Sequence, residues 1–128
     1  MINVKEKVYQ ALKGIPEMLN SVTDSWPQDW KNRQTIIYTE EENKSYERAG
    51  YKTTKSYCRY RIDIFCKGST SSLCQAVDRV LGYNVEDGTG LGMTRTFCQD
   101  DNEGDYRHKI MRYECIVSDT DGCIYGIS

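Results

Sequence analysis

The segment "YCRYRIDIFC", residues 57–66, sets Cys58, Tyr60, Ile62, Ile64 and Cys66 on one parity and Tyr57, Arg59, Arg61, Asp63 and Phe65 on the other. A period of two marks a strand with one face on a core and the other in water. A second extended segment, 35–47, precedes it across "RAGYKT". Folding the pair about residue 50 sets Ile36 against Ile64, Tyr38 against Ile62, Thr39 against Arg61 and Glu41 against Arg59. A one-residue slip would put apolar residues opposite charged ones, so side-chain parity supports this register. Beyond Tyr38 both parities of the first segment turn polar. The pattern predicts a β-hairpin with a packed base, a solvated outer face and a tip near Gly50 projecting into solvent.

The remaining elements follow from periodicity and punctuation. Asn3 caps a helix over 3–13 with Glu6 three residues on and a stripe of Val4, Val8, Ala11 and Leu12, and Gly14 and Pro16 end it. A short strand is expected near 18–23. The turn-rich "DSWPQDWKNRQ" carries Trp26 and Trp30, which either cover one end of the core or anchor a partner. A second helix is expected over 70–81, capped by Ser69 or Thr70 and closed by Gly82, with a stripe of Leu73, Ala76, Val77, Val80 and Leu81. "EDGTGLG" lacks the phosphate-loop pattern and reads as a flexible loop. Strands follow near 93–99, 108–118 and 124–127, with the acidic "QDDNEGD" between the first two. Helix, strands, helix, strands is the order of an α+β fold: an antiparallel or mixed β-sheet with two α-helices packed on it, in one domain over 1–128.

Composition narrows the function classes. The 128 residues carry 17 basic and 19 acidic groups, a net charge of -2, which argues against a chain living on nucleic acid. No apolar run is long enough for a membrane span, and the start "MINVKEKVYQ" lacks a signal-peptide core, so a soluble chain made in the cytoplasm is expected. Six cysteines, at 58, 66, 74, 98, 115 and 123, lack C-x-x-C spacing and fall in expected strands or helices. They read as reduced, small buried hydrophobes.

The acidic groups are the candidates for chemistry. Glu40 and Glu42 share a strand face, and Asp100, Asp101, Glu103 and Asp105 share a loop, and carboxylates suit magnesium or calcium. That loop misses the calcium pattern, and neither cluster has a histidine or basic partner at motif spacing. His108 is the sole histidine, with no local reason to approach a thiol. No enzyme, metal or cofactor is expected. A small metal-dependent hydrolase is the weakest alternative. The glutamates read instead as half of a charge-laced ribbon complemented by Arg59 and Arg61, and such a ribbon is a natural docking edge.

"TIIYTEEENKSYE", "SYCRYRIDIF", "MTRTFCQD" and "HKIMRYECIV", in this order around a serine-rich helix start, resemble the tail terminator proteins of bacteriophages, also called tail completion or head–tail joining proteins. The likeness runs from the "VYQALKGIP" helix to the last long strand. It departs in "NVEDGTGLG", where a tighter link would be expected. The resemblance implies a structural virion protein forming a homohexameric ring on the head-proximal end of the tail tube. The ring would stop tube growth and offer a surface to the neck. Partners so implied are further copies of itself, the tail tube protein, neck or connector proteins and, in a contractile tail, the sheath. DNA would pass through the lumen without specific binding, and no membrane is involved. A connector on the portal side is the alternative of the same class. The expected contact residues are Tyr38, Glu40, Glu41, Glu42, Lys44, Tyr46, Arg59 and Arg61 on the hairpin, with Trp30 before it.

Overall fold

A computed structural model describes residues 3–16, 21–25, 34–66, 70–84, 86–102 and 107–127. Helix α1 (Val4–Lys13) begins where Asn3 accepts a hydrogen bond from the Glu6 backbone N–H at 3.3 Å. Its 3.6-residue period turns Val4, Val8 and Leu12 inward. Strand β1 is short (Val22–Thr23), and the expected Trp26, Trp30 and Ser69 roles fall outside the described residues, as do Glu103 and Asp105. Strands β2 (Thr35–Ala49) and β3 (Lys52–Cys66) form the hairpin. Helix α2 (Ser71–Val77) continues as a π-helical turn over Asp78–Gly82, and β4 (Thr94–Asp100), β5 (Arg107–Ser118) and β6 (Ile124–Gly126) follow.

The strands make one mixed, six-stranded sheet in the order β1-β2-β3-β5-β4. β1 runs parallel to β2 and the other pairs are antiparallel. β4 and β6 share the outer edge of β5, β4 along Lys109–Glu114 and β6 along Cys115–Val117. Both helices lie on one face. Their buried Val4, Val8, Leu12, Leu73, Val77 and Leu81 pack with Ile36, Tyr38, Cys58, Tyr60, Ile62, Ile64, Met111, Tyr113, Cys115 and Val117. This is the parity read from "YCRYRIDIFC". Each large side chain so buried contributes about 1.5–3 kcal/mol.

The opposite face departs from expectation at one end. Tyr57, Arg59 and Arg61 keep partial exposure, but Asp63, Phe65 and Ile37 are buried. The base of the hairpin is thus covered on both sides rather than solvated. Asp63 tolerates burial because Arg61 forks onto it with contacts of 3.0–3.2 Å and His108 Nε2 lies 2.7 Å away. Phe65 stacks on the His108 ring at 4.1 Å.

Two further expectations change. "EDGTGLG" is tied down at its end: its Leu91 and Gly92, and Met93 after it, donate to the carbonyls of Val80, Gly82 and Leu81, satisfying groups that the helix end leaves open. Gly90, at φ 114°, sits so close that a Cβ there would lie 2.4 Å from the Gly82 carbonyl oxygen. The cysteines are all free, and Cys58, Cys66 and Cys115 are buried as expected. Cys98 and Cys123 are exposed, the first because β4 is an edge strand, the second because it precedes β6 outside any strand.

Candidate functional site

The hairpin register begins as parity dictates. Ile36 faces Ile64, Tyr38 faces Ile62 and Thr39 faces Arg61. It then shifts between Glu40 and Glu42, so that Arg59 pairs with Glu42 rather than Glu41. The extra residue is a β-bulge at Glu41, with two residues of β2 opposing one of β3. Strict alternation would have put Glu40 and Glu42 on one face. Instead both Glu41 and Glu42 reach Arg59, at 3.3 and 3.4 Å, while Glu40 turns to the helix face.

There Glu40 accepts from the Tyr60 hydroxyl at 2.9 Å and from the Asn43 amide at 3.0 Å. Burial first, and then the bond to Glu40, hold the Tyr60 phenol far above its ordinary range. The bond gives a buried hydroxyl its partner, the condition for burying a polar atom at all.

On the outer face Glu41 also accepts from Arg112 of β5, Nε at 2.9 Å and Nη2 at 3.5 Å. Arg112 in turn lies over the Phe97 ring of β4, 4.9 Å from its centroid. Lys44 bridges Glu42 at 3.1 Å and sits 5.2 Å above the Tyr57 ring, and the Tyr57 hydroxyl donates to Glu114. Arg59 faces Glu114 in the register as well. The result is a lattice of alternating charge laid across β2, β3, β5 and β4.

Of the expected contact residues, Glu41, Glu42, Lys44 and Arg59 come together in this lattice. Arg61 does not join them: its guanidinium is turned to Asp63 on its own strand, and Arg112 is the second cation on Glu41. Tyr38 is buried against Tyr9 of α1, ring centroids 5.8 Å apart, and so belongs to the core. Tyr46 is 61 % exposed. Arg112 was missed because the hairpin was read alone. Pairing "HKIMRYECIV" with β3 would have found it, since Arg112 faces Arg61 and each of two adjacent arginines needs an anion within reach.

The hairpin has two further features. Among the described residues β1 pairs with β2 only at Ile36 and Ile37, so from Thr39 to Ala49 the outer edge of β2 has no strand partner. Its closed end is the two-residue loop Gly50–Tyr51, flanked by the pair Ala49↔Lys52, with Gly50 at φ 65°. Among the described residues no group of three or more His, Cys, Asp or Glu side chains is placed to hold a metal ion, and no helix is long and apolar enough to cross a membrane. Comparison with models of known protein families gave no match, and neither did comparison with curated proteins.

Proposed function

We propose that this chain is a structural subunit of a bacteriophage tail, a tail terminator whose copies close into a hexameric ring on the head-proximal end of the tail tube. Work of this kind is done by surfaces, and the hairpin is the surface that supports the reading. The single observation that carries it is that, among the described residues, the outer edge of β2 from Thr39 to Ala49 has no strand partner. An open edge of that length is a liability in a free protein and an asset in an assembly. Its charged side chains discourage indiscriminate strand pairing while leaving a specific partner free to match them. In this reading the hairpin end past the last β3–β5 pair, Lys55↔Ser118, projects from the body of the sheet toward a neighbour. Closed rings need two different patches on each subunit, and a ribbon at one end of an asymmetric sheet supplies one of them. The mixed sheet with two helices is the α+β architecture expected from the order of elements in the sequence.

The test is negative-stain imaging of the purified protein, alone and with isolated tail tubes. Sixfold rings, free or capping one tube end, are the expected result. Monomers that persist in the presence of tubes would overturn the reading.

A further inference from the structure

We propose that the closed end of the β2–β3 hairpin, Tyr46 to Lys52, docks on the Asp100–Asp101 end of a second copy of this chain. The proposal rests on the ring reading above and names which part of the hairpin makes the contact and what receives it.

The lattice on the outer face has already used its charges. Glu41, Glu42, Arg59 and Arg112 satisfy one another within the chain. The closed end is different. Tyr51 is fully exposed and Tyr46 is 61 % exposed, although tyrosine rings bury readily wherever a surface is offered. Two bare tyrosines and Arg48 are the residue types from which interface anchors are drawn. Gly50 at φ 65°, with open space around it, lets the chain turn tightly between β2 and β3 beside Tyr51.

Charge argues for a second copy as the occupant. Residues 46–52 hold Arg48 and Lys52 against Glu47, a net +1, so the rest of a chain of net -2 carries -3. The basic end and the acidic body therefore attract between copies. At the far end of the sheet Asp100 and Asp101 stay exposed, 58 % and 71 %, although Asp100 lies 3.4 Å from Lys109 Nζ and Asp101 3.6 Å from His108 Nδ1 of their own chain. β4 ends at Asp100↔Lys109, and Lys109 pairs with Ile64, at the end of β3 remote from the loop. Tip and receptor thus sit at opposite ends of one sheet, a head-to-tail relation that generates a ring when the rotation closes. Nucleic acid is the other polyanion such a tip could meet. The acidic body disfavours it, because a duplex held at the tip would be repelled by the -3 behind it.

Sedimentation velocity on the whole chain tests this, with circular dichroism to confirm folding of each variant. Wild type should assemble, less so as salt rises. R48E/K52E and, separately, D100K/D101K should each weaken assembly at least about tenfold. R48E/K52E/D100K/D101K in one chain should restore it. Wild-type assembly that R48E/K52E leaves unchanged would overturn the tip as contact while leaving the ring reading standing. Failure of the four-fold variant to recover would overturn the Asp100–Asp101 end as receptor. A wild type that stays monomeric with tail tubes present would remove both readings. A monomer that binds a labelled DNA duplex through Arg48 and Lys52 would replace the second copy with nucleic acid.

Discussion

Glu41 of β2 and Arg112 of β5 meet at 2.9 Å across the full width of the intervening strand β3. Flat alternation would leave these side chains two strands apart with β3 between them. The bulge at Glu41 swings the carboxylate inward over β3, where Arg59 and Arg112 converge on it.

The pair is part-buried, with side chains 21 % and 29 % exposed, so its worth lies at the upper end for surface ion pairs. A double-mutant cycle of E41A and R112A should give a coupling of about 0.5–1 kcal/mol in urea unfolding. The coupling should shrink in about 1 M salt. A coupling indistinguishable from zero at low salt would mean the lattice is decoration.

Asp63 should behave quite differently. Its side chain is 2 % exposed and is held by Arg61 and His108. Removing the carboxylate strands a guanidinium that has been turned away from Glu41. D63A should therefore cost about 3 kcal/mol, several times the effect of E41A, read as a lowered urea midpoint at unchanged slope. Equal costs for the two variants would contradict the burial of the first.

These two carboxylates show where the sequence is legible. Parity in "YCRYRIDIFC" located the core face, the hairpin and the pairs Ile36↔Ile64 and Tyr38↔Ile62, because burial enforces a period of two. Where both faces are polar nothing enforces it, and there the bulge entered and moved Arg59 from Glu41 to Glu42. Asp63 looked solvated because a carboxylate on the outward parity usually is. Its compensation comes from His108, 45 residues away, a relation that no local pattern carries. Arg61 shows the same limit. It was expected with Arg59 to complement the glutamates, whereas its fork found a buried anion two residues along its own strand.

The glycines separate strain from crowding. Gly50 and Gly90 both have positive φ, but a Cβ at Gly50 meets nothing within 4 Å. At Gly90 it would lie 2.4 Å from the Gly82 carbonyl oxygen and 2.8 Å from that of Arg79. G50A should cost about 1 kcal/mol through backbone strain alone. G90A should cost at least about 2 kcal/mol more, since it must also push the glycine-rich segment off the end of α2. Thermal melts of the two variants side by side give the comparison, and similar losses would show that the segment yields freely.

Stability should fall on the alkaline side. Burial pushes the Cys74 thiol up to about 11 from an ordinary 9.0, and burial likewise raises the Tyr60 and Tyr113 phenols, helped by hydrogen bonds to Glu40 and Asp78. Between pH 9 and 11 the unfolded chain has released protons that the folded chain still holds at Cys74. The unfolded state then binds fewer protons, so the free energy of unfolding declines as pH rises. The contribution is complete below pH 9 and disappears as pH climbs through 11. The melting temperature should accordingly hold steady up to about pH 8 and drop steeply above about pH 9. Y113F removes one of the raised groups and also the 2.9 Å bond to Asp78, so it should lower the melting temperature at neutral pH yet flatten the alkaline decline. The neutral-pH loss alone would fit any damaged core. The flattened slope is the part that identifies a retained proton, and an unchanged slope would refute it.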